Sequence, residues 1–531
     1  MTHTNNTNNT PTRASVLRWM SVFSAGQALE KIFMLGKLLL VAYFFGISRQ
    51  LDAYLVAMIV PTVFLMLFGD TAYIYTMTLF TLHQSDLKNA WMIINIILTL
   101  SVLLCAAFTA IYLVVLPWLT RGMAFGLEQS TIDISIRLSV ILSPLFIIYM
   151  LQGILRGCSD SFHFFGVSSI QFALTNGVVI AILLAYGRKS GITGYAVATV
   201  VSEAAGALCF IPQMAGKGFR FRPDFRFGHP DVKKTYRQAV SITIGSGVYK
   251  FSTPINRCLS SFLPVGTISI FNYAMNMAQV FSSLLRTFVL SVHPSLTRAA
   301  NVRDFGEVKR YLEMSIRAFA LVGVPMAVMV VVLRMPLLAM LQRGAFKEST
   351  SLIVAHTIVF LSPCILLYPL LYLLTRVMIA LEKTVSLVVI GATGMGLIAF
   401  ISVLLIGPMG VLGIALGNTL SAVFMSAASM HQICKAIGTI KLRLVGLAVA
   451  KGTVASMAAA LCTIGVAAAL NKGAPSSTFT GSLLILLIGG SAGIAAAFAT
   501  LIALRTQEIN DILSIVFKRI KSWKKGNISA K

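Results

Sequence analysis

The chain has 531 residues, of which 57% are hydrophobic and 11% charged. A soluble globular protein carries roughly 25% charged residues, so that class is excluded, and the period-two alternation of an outer-membrane barrel is absent. The formal charge of +26 would point to nucleic acid in a soluble chain; here its placement decides, and no nucleic-acid partner is expected.

In chain order, residues 1–18 form a polar tail without a cleavable signal pattern. Fourteen apolar spans follow, at about 19–45, 53–80, 90–116, 131–155, 163–187, 191–213, 236–260, 267–296, 311–333, 351–375, 384–405, 410–434, 445–469 and 481–504, each long enough to cross a bilayer as a helix. An even count puts both termini on one side. Of the 43 Lys and Arg, 26 fall in segments on that side, 8 on the other and 9 within spans. The excess predicts cytoplasmic termini, hence a multi-pass protein of the bacterial inner membrane in contact with its phospholipids. The loop 214–235 and the tail 505–531 are basic and cytoplasmic in this reading.

The first span, "LEKIFMLGKLLL" from Leu29, carries Glu30, Lys31 and Lys37. A cation in hydrocarbon costs at least about 2.5–3.5 kcal/mol. An internal repeat gives these cations a context. "LSPLFIIY" at 142–149 is echoed by "LSPCILLY" at 361–368, an offset of 219. "GISRQLDAY" from Gly46 is echoed by "GTISIFNYA" from Gly266, with Asp52 falling on Asn272. The predicted fold is an all-α polytopic membrane protein of two pseudo-symmetric six-helix lobes, 19–213 and 236–434, joined by 214–235, with two C-terminal helices in 445–504. The same offsets carry Lys31 onto Lys250 and Lys37 onto Arg257. Snorkelling to the headgroups, or structural pairing, is one reading of such cations. The other is a cationic cavity between the lobes that attracts an anionic headgroup, especially a phosphate.

Arg286 and Glu203 are secondary candidates, Glu203 as a proton or cation carrier or as a hydrogen-bonded structural acid. Gly36, Pro61 and Pro144 mark places where spans 1, 2 and 4 could bend. The seven cysteines are scattered without a CxxC or Cys/His cluster, so neither a metal site nor a disulfide framework is expected. No Walker-type loop, paired carboxylates or Ser/His arrangement occurs in a loop. The chain is therefore expected to be a transporter and not an enzyme, with no cofactor, the coupling cation being left open.

At "FFGISRQLDAYLVAMIVP" (44–61), "FNYAMNMAQVFSSLLRTFVLSVHPSLTR" (271–298) and "RVMIALEKTVSLV" (376–388) the chain resembles the MurJ/MviN family of lipid-linked glycan flippases, within a superfamily that includes multidrug extruders. The resemblance covers roughly 15–505. It implies a V-shaped pair of lobes whose spans 1, 2, 7 and 8 line a cationic cavity for a polyprenyl-diphosphate glycan. It also implies an apolar groove for the lipid tail at spans 13 and 14. Lys31 and Lys37 match positions usually held by essential arginines, and Asp52 the acid that opens the second helix. Leu38 stands where the family has an acid, Leu65 and Met66 where the second span carries arginine, and Asn276 where span 8 has one. These departures favour an exopolysaccharide or other surface glycan unit over lipid II as cargo, with glycan-synthesis machinery as partner. The rival reading is an ion-coupled multidrug or small-molecule antiporter of the same superfamily.

Overall fold

The computed structural model describes residues 13–83, 86–162, 165–247, 251–346, 348–471 and 478–506. Among them there are helices and no strand. Contacts divide the chain into two compact units, Met1–Cys258 and Leu259–Lys531.

The first unit runs α1 (Arg13–Phe45), α2 (Arg49–Ala57), α3 (Ile59–Phe64), α4 (Asp70–Leu82), α5 (Leu87–Met123), α6 (Gln129–Leu142), α7 (Leu145–Ser161), α8 (Phe165–Leu208), α9 (Ile211–Ala215) and α10 (Pro230–Gly247), and ends within α11 (Ser252–Ser260). Gly46 takes φ +54° between α1 and α2, a left-handed conformation that glycine adopts without a Cβ clash. Ser48 then caps α2 by accepting from the Leu51 N–H at 3.3 Å. A π turn at Leu65–Gly69 joins α3 to α4. The long α8 is broken at Gly191, whose φ/ψ of 54° and −148° is not helical. That break is expected, because the 50 residues of 166–215 would make a rod of about 75 Å, more than twice a bilayer core.

The second unit continues with α12 (Thr267–Asn301), α13 (Phe305–Val332), α14 (Arg334–Ala339), α15 (Glu348–Leu361), α16 (Cys364–Ala380), α17 (Thr384–Met409), α18 (Val411–Ile437), α19 (Leu442–Asn471), α20 (Phe479–Leu484) and α21 (Gly490–Ala503). Gly266, the repeat partner of Gly46, also has positive φ, at +96°, and forms the N-cap of α12. The α6/α7 pair bends by 42° and the α15/α16 pair by 40°. Pro144 and Pro363 stand at the two bends. Each lacks the N–H that would bond the carbonyl four residues back, which is Val140 in one case and Val359 in the other. Ser143 and Ser362 supply a substitute, each donating its hydroxyl to that carbonyl at 2.8 Å.

Eight helices among the described residues are long and apolar enough to cross a membrane, or ten if each bent pair is one span. The all-α polytopic fold is as expected, but the count of fourteen is not established by this measure. Outside the ten lie the short α14 and α1, α10/α11 and α12, the last three among those in which the sequence places its charged and amide side chains, and the rod broken at Gly191 is counted once. The contact division falls at Cys258, beyond the 214–235 linker, because α10 packs in the first unit. Its Tyr236 hydroxyl meets Ser101 of α5 at 3.0 Å, and Thr243 donates to the Thr71 hydroxyl of α4 at 3.1 Å.

Candidate functional site

The first unit is drawn together by a close approach of α4 and α7. A Cβ on Gly153 would collide with the Gly69 carbonyl oxygen, and one on Gly157 would lie 2.7 Å from the Tyr73 carbonyl. The "GILRG" spacing puts both glycines on one helix face, so the two backbones touch, as at small-xxx-small seams between membrane helices. Arg156 stands beside this seam. Its guanidinium lies 4.8 Å from the ring centre of Tyr73 on one side and 4.8 Å from that of Phe172 on the other, a geometry that suits a cation on aromatic faces. Asp160, one turn on, is 3.8 Å away. The Arg156 Nε is buried without a hydrogen-bond partner, so its donor capacity is not used up by the protein.

The seam borders a cavity of about 350 Å³. Lys37 of α1, Asp70 of α4, Arg156 of α7 and Glu203 of α8 line it, two charges of each sign. Amides and hydroxyls fill much of the remaining wall, among them Gln152, Gln171, Asn176, Tyr54 and Thr199. Glu203 is held by Gln152, whose side-chain amide donates to Oε2 at 2.9 Å and to the Glu203 backbone carbonyl at 2.6 Å. Lys37 and Glu203 lie within each other's electrostatic field. Thr199 donates to the Tyr195 carbonyl at 2.9 Å, so at 2.9 Å it accepts from the Tyr54 hydroxyl.

The structure brings together only some of the residues singled out from the sequence. Lys37 and Glu203 share the cavity. Lys31 instead pairs with Glu30 at 3.0 Å, their side chains 23% and 14% exposed, away from the cavity wall. Asp52 is buried in the first turn of α2, where the helix dipole favours an anion. Arg257 donates from Nη1 to the Leu55 carbonyl at 2.7 Å. That carbonyl belongs to the last turn of α2, just ahead of Pro61. The bond sets Arg257 beside Tyr54, a cavity wall residue. Lys250 lies outside the described residues. Asn276 is half-buried and Arg286 exposed, both on α12 of the second unit. Of the three bend candidates, Pro61 and Pro144 sit at helix junctions, whereas Gly36 lies inside an unbroken α1.

Among the cavity residues not singled out from the sequence, Arg156, Asp70 and Gln152 matter most to its polarity. The apolar window of span 4 ends at about residue 155, which consigns Arg156 to a loop, but α7 continues to Ser161. The glycine pair around it was the available signal. Elsewhere, in the second unit, Val332, Leu333, Pro336, Ile464, Ala467 and Ile485 line a mostly apolar hollow of about 290 Å³. Among the described residues there is no cluster of His, Cys, Asp and Glu that could hold a metal ion.

Known proteins give this architecture a family. The family model "Lipid II flippase MurJ" matches residues 41–487. The chain belongs to the MurJ family. A probable lipid II flippase MurJ of Buchnera aphidicola subsp. Baizongia pistaciae is 24% identical over 337 residues, covering 61% of this chain and 65% of that protein. The lipid II flippase MurJ of Burkholderia cenocepacia is 23% identical over 361 residues, 65% of this chain and 69% of its own. The chain thus spans about two thirds of the length of these curated relatives. Among solved structures, an inward closed conformation of MurJ superposes with TM-score 0.74 at 16% identity, covering 91% of this chain and 99% of that one. An inward-facing multidrug MATE transporter gives 0.65 at 13% identity, covering 77% and 96%. At such identities the likeness is one of fold, and the fold is the one that MurJ and MATE proteins share.

Proposed function

We propose that the chain is a flippase for a polyprenyl-diphosphate-linked glycan in the bacterial inner membrane, and not an enzyme. The observation that carries this reading is the MurJ family match over 41–487. The first unit supports it. Lys37 and Arg156 face one cavity and Arg257 lies beside its wall, and cations of this kind favour a diphosphate. At about 350 Å³ the cavity has the size of a small-molecule pocket, enough for a headgroup fragment and not for a whole glycan lipid. Its amides and carboxylates suit sugar hydroxyls. The apolar hollow of the second unit, between α13/α14 and α19, suits a stretch of the lipid tail. The loop charges favour cytoplasmic termini, and the energy would come from an ion gradient, the membrane potential or the substrate gradient.

Within this reading a surface-glycan repeat unit is favoured over lipid II. Leu38, Leu65, Met66 and Asn276 stand where the family motif carries charge, and Leu65 lines the cavity itself. A second reading, a cation–drug antiporter, has Asp70 and Glu203 in its favour, since two acids in a cavity suit a cationic substrate.

The test is to change Lys37, Arg156 and Arg257 singly to Gln. A hydrogen bond to a charged group contributes about 1.5–3 kcal/mol, so loss of one corresponds to roughly ten- to a hundredfold in affinity. Each variant is expected to accumulate normally while glycan export falls and the lipid-linked intermediate builds up on the cytoplasmic leaflet. Viable cells lacking polymer would mark a surface glycan; lysis would mark lipid II. Normal export at normal abundance in all three variants would overturn the reading, and loss of drug resistance instead would favour the antiporter.

A further inference from the structure

The segment after α9 is an extended stretch of alternating aromatic and basic residues, "GFRFRPDFRF" at 218–227. It is not a loose loop. Three residues spaced four apart on α5, Trp91, Asn95 and Thr99, bind its backbone in order. The Trp91 indole N–H donates to the Lys217 carbonyl at 3.1 Å. Asn95 donates to the Arg220 carbonyl at 3.1 Å and accepts from the Arg222 N–H at 3.4 Å, the pairing a neighbouring strand would offer. Thr99 accepts from the Asp224 N–H at 3.1 Å. All three α5 side chains are buried beneath the segment. Phe219 joins the core beside Trp91, their rings 5.1 Å apart.

This backbone attachment leaves most of the other side chains outward, Phe227 excepted, which packs against the same core. Phe221 and Phe225 are 55% and 65% exposed, and Arg220, Arg222 and Arg226 are exposed with them. Arg226 is paired with Asp224 at 2.6 Å, which holds the Asp224 carboxyl below its usual range. Arg220 and Arg222 enter no ion pair among the described residues. The height of the segment along α5 matters most. The exposed apolar belt of α5 runs from Leu103 and Leu104 through Ile111 and Val114 to Trp118, a length of about 22 Å along the helix. The belt begins four residues beyond Thr99, about 6 Å, and eight beyond Asn95, which holds the Arg220 and Arg222 backbone, about 12 Å and within reach of a long arginine side chain. The basic and aromatic side chains therefore sit near the edge of the apolar belt, where apolar rings enter the headgroup–acyl boundary and cations meet headgroups.

We propose that residues 217–226 form a built-in binding site for anionic phospholipid headgroups, with Arg220 and Arg222 on the phosphate and Phe221 and Phe225 in the interfacial layer. This reading needs only that the chain spans a membrane, so it stands or falls apart from the glycan assignment. Tryptic cleavage after Lys217, Arg220 and Arg226 tests it on the full chain, in nanodiscs of phosphatidylcholine alone or mixed with phosphatidylglycerol. The Arg222 bond precedes Pro223 and resists trypsin. Cleavage is expected to be several-fold slower in the anionic discs. The protection should vanish near 1 M salt, where the screening length falls to about 3 Å. It should also weaken in Arg222→Gln and in the double change of Phe221 and Phe225 to Ser, at unchanged melting temperature. Equal cleavage in the two lipids would overturn the proposal. So would equal protection from inorganic phosphate added to the neutral discs, or protection that appears only with an acidic polypeptide.

Discussion

The two proline bends have almost the same backbone and very different surroundings. Both follow an LSP triplet, both turn by about the same angle, 42° and 40°, and in both a serine hydroxyl satisfies the carbonyl that the proline leaves open. Past the bend they diverge. In the first unit α7 carries Gln152, Gly153, Arg156 and Gly157; at the same offset α16 carries Leu371, Tyr372, Thr375 and Arg376. Arg156 is stacked between two rings at the edge of a cavity, with a donor unused. Arg376 instead donates to the Tyr372 hydroxyl at 2.9 Å, one turn back on its own helix, and lies over that ring. The two bends therefore share a hinge geometry, while a polar site stands beyond only the first of them. The bend belongs to the architecture; the chemistry belongs to the residues one and two turns after it.

The largest effect expected of this difference lies at the glycine seam. Gly153→Leu would drive a side chain into the Gly69 carbonyl, and backbone cannot step aside as a side chain can. Overpacking typically costs about 1–3 kcal/mol, and here the upper end or beyond is expected. The variant should accumulate poorly in membranes, and its melting temperature in detergent should drop markedly. Tyr372→Leu, at the matching position of α16, should lower both less, losing the hydrogen bond from Arg376 and a ring–cation contact of about 0.5–1 kcal/mol. Similar losses in the two variants would mean that the α4/α7 seam is not what sets the first copy apart.

How much of this was legible in the sequence follows from the type of signal. The bend at Pro144 was, because proline removes a donor wherever it stands; the one at Pro363 was not named, although the LSP triplet recurs there at a fixed offset. The start of α12 after Gly266 was legible too, whereas the second span was placed from 53, four residues beyond the start of α2 at Arg49. Lys37 was legible because a charge in an apolar run is conspicuous. Arg156 was not. Hydropathy ends a span where polarity rises, yet α7 goes on for six more residues past Leu155 as its polar end meets the cavity. The pairing of Lys31 with Glu30 was also missed: the charge of each was noted, but spacing does not say which neighbour a flexible side chain will choose. The ten apolar spans fall short of fourteen because hydropathy is weakest for helices that carry such charges, α1, α10/α11 and α12, and because the rod broken at Gly191 counts once.

A middling effect separates the two arginines. Arg156→Gln removes a cation from the cavity wall, and by the magnitudes used above it should lower transport roughly tenfold or more, as for a charged hydrogen bond of about 1.5–3 kcal/mol. Arg376→Gln breaks a local contact at a half-buried site and should alter transport little. Uptake of labelled substrate into proteoliposomes, normalised to reconstituted protein, measures both. Glu203→Gln sharpens the point. It keeps an acceptor for the Gln152 amide and removes the charge opposite Lys37. If the carboxylate serves only as a hydrogen-bond acceptor, transport should persist; if it balances Lys37, transport should fall with stability retained.

The smallest effect is the one shared by both copies. Ser143→Ala and Ser362→Ala each remove a hydroxyl that donates at 2.8 Å to a carbonyl four residues before a proline. The two serines are comparably buried, at 6% and 9% exposure. In each case the serine's own N–H still reaches the carbonyl, at 3.3 Å in one bend and 3.2 Å in the other, so the acceptor keeps one long partner. The net loss should then be that of an ordinary hydrogen bond, about 0.5–1.5 kcal/mol, and not the larger penalty of an orphaned group. Because donor, acceptor, distance and burial match, the two losses should agree within about 0.5 kcal/mol and add in the double variant, as independent sites do. Denaturation of the purified protein with each single and the double change measures this. A Ser143→Ala loss well above that of Ser362→Ala would show that the first bend is coupled to the polar cavity beyond it. The hinge and the chemistry would then not be separable.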